Sequence, residues 1–172
     1  MALAKKLGQN YEAIRAAARF KTIKIKLNDL EFDLKVRIPV KRELEEMTSA
    51  IASPPKEYVE KLYEDLSRPL LESLKDAGDG FLDVLNQDGD KIKMLDNDIL
   101  VDGTSIRQVA QMSGVWHKQV ERYFSLLQSE TGEPVNETFD EISEEFPEQV
   151  IREIVEKIEQ AIRPNYKDTK KN

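Results

Sequence analysis

The residues best suited to chemistry are the carboxylates of DGDKIKMLDNDILVD. There Asp88, Asp90, Asp96, Asn97, Asp98 and Asp102 offer oxygen ligands to a hard cation such as calcium. A calcium loop of the EF-hand kind needs alternating oxygen ligands, a glycine at its sharp turn and a closing bidentate glutamate, and no register of this segment supplies them. It therefore reads as a set of acidic turns with no metal assigned. His117 is the single histidine, and cysteine is absent. A multi-histidine metal site, a thiolate nucleophile, cysteine-ligated zinc and a disulfide all lack their ligands. A Ser-His-Asp triad would have to use His117, which no nucleophile-elbow pattern accompanies. The glycines are scattered, and none forms a phosphate-cradling G-x-G-x-x-G or P-loop. No catalytic, cofactor-binding or metal-binding residue is assigned, and the expected class is a non-catalytic binding protein.

A second pattern points to nucleic acid. The segment IRQVAQMSGVWHKQVERYFSLL is similar to a helix-turn-helix of the bacterial repressor type, with Val109, Ala110, Gly114, Val115, Val120 and Tyr123 at the packing positions. In that reading Gly114 makes the turn, and Trp116, His117, Lys118, Gln119 and Arg122 face the major groove. Against it, Glu121 sits on the would-be reading helix and the flanks are acidic, where phosphate neutralisation would demand cations. A DNA-binding regulator using residues 106–127 stands as the alternative function, through His117, Lys118, Gln119 and Arg122.

Charge is distributed unevenly. The net charge is −7, yet residues 1–42 hold 11 Lys/Arg against 4 Asp/Glu, leaving the remainder strongly acidic. Such polarity can draw copies of the chain together head to tail, within the roughly 8 Å reach that physiological salt allows. Glu141, Glu144, Glu145 and Glu148 cluster near the start of the last helix, where they complement the helix dipole or offer an acidic docking face to a basic segment.

The elements that must position these groups give an α+β chain, mainly helical, with an N-terminal β-hairpin followed by a multi-helix bundle. Residues 1–21 read as an N-terminal helix or arm, 22–164 as one α+β domain, and 165–172 as a polar tail. Ile23, Ile25 and Leu27, then Leu30, Phe32, Leu34, Val36 and Ile38, alternate with charged residues around Asn28-Asp29, a hairpin over 22–39 that Pro39 ends. Its edge is open to pairing with another copy or a client strand. Apolar spacing of three to four predicts helices over about 41–52, 55–77, 105–128 and 146–163. Pro69 is expected to kink or divide the second, with Ser67 capping the continuation, Ser113-Gly114 to interrupt the third, and Pro164 to stop the last. Residues 78–104 are left unassigned. With no continuous apolar leader and no stretch approaching the ~20 apolar residues that span a bilayer, the expected location is the bacterial host cytoplasm, with no membrane partner.

The stretch FDLKVRIPVKRELEEMTSAI resembles the opening of tail assembly chaperones of long-tailed bacteriophages and prophages. Its Phe32, Leu34, Val36, Arg37, Ile38, Pro39, Leu44 and Met47 fit a strand of alternating apolar residues closed by proline and followed by an amphipathic helix. The ending FPEQVIREIVEKIEQAIRPNYKDTKKN is similar to the acidic helix, proline and short basic tail that finish the shorter product of such gene pairs. The resemblance implies a protein that coats the tape-measure protein, keeps it soluble and recruits tail-tube subunits, sometimes beside a longer frameshifted product; self-association is expected from the opposite charge of the two ends. On that reading the contact residues are Phe32, Val36, Ile38, Trp116, Tyr123, Phe124, Ile154 and Ile158, with no cofactor.

Overall fold

The structure, a computed structural model, describes residues 3, 6, 8–78, 80–87, 89 and 91–163. In chain order the elements are α1 (Gln9–Ala18), β1 (Phe20–Leu27), β2 (Leu30–Arg37), α2 (Lys41–Ala52), α3 (Lys56–Ala77), α4 (Phe81–Leu85), β3 (Ile92–Met94), β4 (Ile99–Val101), β5 (Thr104–Ser105), α5 (Ile106–Phe124), α6 (Phe139–Glu145) and α7 (Glu148–Ile162). This is a mainly helical α+β chain with the hairpin at its amino-terminal end. It divides into two compact units, Met1–Ser49 with Gln119–Asn172 and Ala50–Lys118. The expected polar tail and its stop at Pro164, together with Asp88 and Asp90, lie outside the described residues.

In the first unit the alternating sequence becomes an antiparallel ladder that pairs Lys21 with Val36, Ile23 with Leu34 and Ile25 with Phe32. Successive side chains of a strand point to opposite faces, so these residues share one face while Lys24, Lys26, Glu31 and Asp33 take the other. Asn28 turns the chain at φ 54, a left-handed conformation that asparagine tolerates better than most residues. Helix α7 packs on β1. Its stripe of Val150, Ile151, Ile154, Val155, Ile158 and Ile162 is buried, as are Ile23, Ile25 and Val36 of the hairpin. The carboxylate of Glu153 accepts the Lys26 backbone N–H at 2.9 Å, and Lys21 Nζ donates to the Ala161 carbonyl at 3.0 Å, where the last turn of α7 leaves an acceptor unfilled. Residues 126–128 then run beside β2: Arg37 N–H donates to Leu126 O at 2.8 Å and Gln128 N–H to Lys35 O at 2.9 Å.

The second unit buries far less. Its buried apolar side chains among the described residues include Val59, Ile99 and Ala110. The stretch left unassigned from sequence forms α4 and a three-stranded antiparallel sheet in the order β3-β4-β5. Asp102 (φ 50) and Gly103 (φ 79) make the two-residue turn between β4 and β5, where both positions require positive φ. Asn86 clasps the loop before β3, its Oδ1 accepting the N–H groups of Lys91 and Ile92 and its Nδ2 donating to Ile92 O.

Neither of two expected breaks divides its helix. Helix α3 runs through Pro69, which removes one helical donor and costs about 3 kcal/mol in an interior position. The apolar stripe keeps the same face on both sides of it, and Ser67 is not a cap: its buried hydroxyl donates back to Glu64 O at 3.3 Å. Helix α5 is likewise continuous through Ser113-Gly114. Gly114 is buried and absent from the glycines of positive φ, and a Cβ there would sit 3.2 Å from Val59 Cγ2 and 3.4 Å from Pro54 Cγ. The glycine serves close packing, not a turn.

Truncating the centre of the α7 stripe should be costly. Ile158→Ala, at a fully buried position, is expected to lower unfolding free energy by about 2–5 kcal/mol in urea denaturation, whereas Leu30→Ala at the exposed hairpin tip should change it by no more than about 0.5 kcal/mol.

Candidate protein-binding surfaces

The contact residues expected from sequence divide by burial. Val36, Tyr123, Phe124, Ile154 and Ile158 are all buried, so they form the core of the first unit and cannot meet a partner while it is folded. The reason is the two-sidedness of the hairpin: its apolar face needs a cover, and α7 with the end of α5 supplies it. Phe124 also meets Phe146 edge to face at 6.1 Å. Phe32, Ile38 and Trp116 are half-buried and keep some accessible surface.

Of these, Ile38 lines a groove. The last turn of α1 brings Arg15 and Arg19 to one wall, the end of β2 brings Arg37, Ile38 and Val40, and the first turn of α2 brings Glu43, around a cleft of about 780 Å³. The walls are tied together by Ile38 N–H donating to Arg19 O at 2.7 Å. Arg37 forks onto both oxygens of Glu43 at 2.8 and 2.5 Å. That guanidinium hydrogen bond holds the Glu43 carboxyl below its ordinary range, against the opposing effect of partial burial, and the charge of Arg19 adds to it. Val40 is 68% exposed, an unusual position for a large apolar side chain beside three arginines.

The acidic residues near the last helix have separate roles. Thr138 and Glu141 form a capping box at the start of α6, and Glu148 pairs with Arg152 at 2.9 and 2.5 Å. Asp140, Glu144 and Glu145 are exposed and make no ion pair among the described residues.

In the second unit the carboxylate of Asp98 is committed to donors of its own chain. It accepts from Ile99 N–H at 2.8 Å, from Arg107 N–H at 3.0 Å and from the Ser105 hydroxyl, which makes it the organiser of the turn into α5. Burial alone would raise this carboxyl, but the three donors hold it below its ordinary range. Arg107 then reaches Glu60 at 2.6 Å and lies 3.9 Å from the centre of the Tyr63 ring, joining α5 to α3.

Three of the four residues assigned to DNA reading are engaged within the fold. His117 Nδ1 lies 2.7 Å from the Tyr58 hydroxyl, the Lys118 ammonium lies 4.4 Å from the centre of the Tyr58 ring, and Gln119 hydrogen-bonds the Tyr123 hydroxyl; Arg122 is exposed. With α5 unbroken, the turn that would present a reading helix is missing.

The same unit leaves apolar side chains in water. Leu66 and Leu71 on α3 are 42% and 43% exposed, Leu70 and Leu74 are half-buried, and Met94 and Met112 are exposed. Leu66, Leu70 and Leu74 follow one another at four-residue spacing, a row along a single helix face. The helical spacing over 55–77 places these leucines on a helix and does not show whether anything covers them.

Comparison with protein-family models, with curated proteins and with solved structures finds no match.

Two measurements check the local electrostatics. Asp98→Ala is expected to destabilise the chain by about 1–2 kcal/mol at neutral pH. Because the folded carboxyl is held low, the wild-type advantage should be present above the ordinary carboxylate range and disappear as pH falls below it, as urea titrations across pH would read. Burial and the Glu159 carboxylate push the Tyr123 hydroxyl up to about 12. Above pH ~10 the unfolded chain releases a phenolic proton that the folded chain keeps. Stability should therefore fall as pH rises through that window, and Tyr123→Phe should flatten the fall.

Proposed function

We propose that the chain is a non-catalytic protein-binding protein that holds a long helical client, acting as a tail assembly chaperone that binds a tape-measure protein and recruits tail-tube subunits. The observation that supports this reading most directly is the leucine row on α3, with Leu66 and Leu71 left exposed beside half-buried Leu70 and Leu74. A helix of 22 residues is about 33 Å long, and an apolar row on such a helix is the surface that another amphipathic helix covers. Met94 on β3 and Met112 on α5 are exposed as well, side chains of the flexible, polarisable kind that accommodate varied partners. The resemblance of residues 32–51 and 146–172 to tail assembly chaperones supplies the identity of the client. The thin core of the second unit fits a surface completed by binding, since exposed apolar rows are a liability that a permanent partner removes.

Co-expression with the tape-measure protein of the parent phage tests this. The wild-type chain is expected to keep that protein soluble and to co-purify with it. Leu66→Glu with Leu71→Glu, both at exposed positions that spare the fold, is expected to weaken the complex at least about tenfold. A tape-measure protein that stays equally soluble without the chain, or that binds the double variant as tightly, would overturn the reading.

A further inference from the structure

We propose that the basic groove of the first unit receives the acidic helix α6 of a second copy of this chain. The groove and the helix are both described parts of one unit, yet no α6 residue lines the groove in its own copy, so only another copy can bring them together. The contact is independent of the client surface on α3.

Three features of the two surfaces match. The first is charge: Arg15, Arg19 and Arg37 against Glu43 leave the groove at +2, whereas α6 holds Asp140, Glu141, Glu144 and Glu145 in seven residues. The second is spacing. Arg15 and Arg19 are four residues apart at the end of α1, and α6 has the same interval from Asp140 to Glu144, the carboxylate of Glu141 being held in the capping box. One helical rise of about 6 Å therefore separates the cations on one copy and the carboxylates on the other. Each of these like-charge pairs destabilises its own helix, and opposing them relieves both. The third is the groove floor. Ile38 and the exposed Val40 offer apolar surface on which the methylene stems of glutamates can lie while their carboxylates reach the arginines. The Arg37–Glu43 fork fixes that end of the groove and leaves the exposed Arg15 and Arg19 to carry the recognition.

Such a contact joins two different surfaces, so it is heterologous and propagates from copy to copy, closing into a ring or continuing as an open helix. It also runs against the net charge of −7, which makes copies repel at long range.

The test is sedimentation velocity of the full chain over a concentration series, with two charge reversals. Arg15→Glu with Arg19→Glu takes the net charge from −7 to −11, and Glu144→Lys with Glu145→Lys takes it from −7 to −3. Wild type is expected to self-associate, and each variant alone to do so at least about tenfold more weakly. The second variant separates the proposal from general repulsion, because a chain of lower net charge would associate more strongly if net charge ruled. Mixing the two variants is expected to restore association, since the unchanged helix of one meets the unchanged groove of the other, and misfolded variants would not recover in this way. A wild type that stays monomeric at every concentration, association that neither reversal weakens, or a mixture that fails to recover would each overturn the proposal.

Discussion

The packing of α7 on the hairpin is the contact from which the rest of the first unit follows. A two-stranded hairpin is at best marginally stable alone, and its apolar face of Ile23, Ile25 and Val36 must be covered to hold any register. The cover comes from the far end of the chain, where isoleucine and valine recur at the period that places them on one side of a helix. Fixing α7 there also fixes two polar details: Glu153 meets the Lys26 amide, and Lys21 meets the Ala161 carbonyl. Those contacts need the same helix placement as the apolar ones, so they specify the pairing without having to supply its energy.

This demand for cover accounts for the burial of five of the expected contact residues. Val36, Tyr123, Phe124, Ile154 and Ile158 were legible as apolar rows, but a row shows only that something covers it, not whether the cover belongs to the same chain. In the first unit it does. In the second, the row through Leu66, Leu70 and Leu74 is equally plain in sequence and is only partly covered. Hydrophobic periodicity alone gives both the same form, and the difference lies in how many other elements pack nearby.

Most elements were readable: the hairpin with its turn, and the helices expected over about 41–52, 55–77, 105–128 and 146–163, which are found at Lys41–Ala52, Lys56–Ala77, Ile106–Phe124 and Glu148–Ile162. Residues 78–104 were not, because β3, β4 and β5 have two or three residues each and are too short to show alternation. The signal that would have found them is Asp102-Gly103, a dipeptide suited to a tight hairpin turn. The helix-turn-helix pattern failed for a different reason. Ala110, Gly114, Val120 and Tyr123 are the small and apolar positions of that motif, and on one unbroken helix each of them is buried as well. Gly114 gives no sign in sequence of whether it bends the chain or admits Pro54 and Val59. The groove was invisible for want of long-range information, since Arg19, Arg37 and Glu43 come from three segments that only the hairpin brings together.

The hairpin edges limit how this chain can meet partners. In an antiparallel pair, alternate residues turn their backbone groups outward, and here those groups are partly occupied. The Lys26 amide is taken by Glu153, and Lys35 and Arg37 are bonded to residues 126–128. What remains open is a short stretch of each strand, around Lys24 and around Asp33, flanked by charged side chains of the kind that blunt strand addition. Strand pairing with another copy or a client would have to displace contacts that also anchor α7 and the end of α5. Surfaces formed by side chains, such as the leucine row and the arginine groove, carry no such penalty, and association through them leaves the interior of each unit intact.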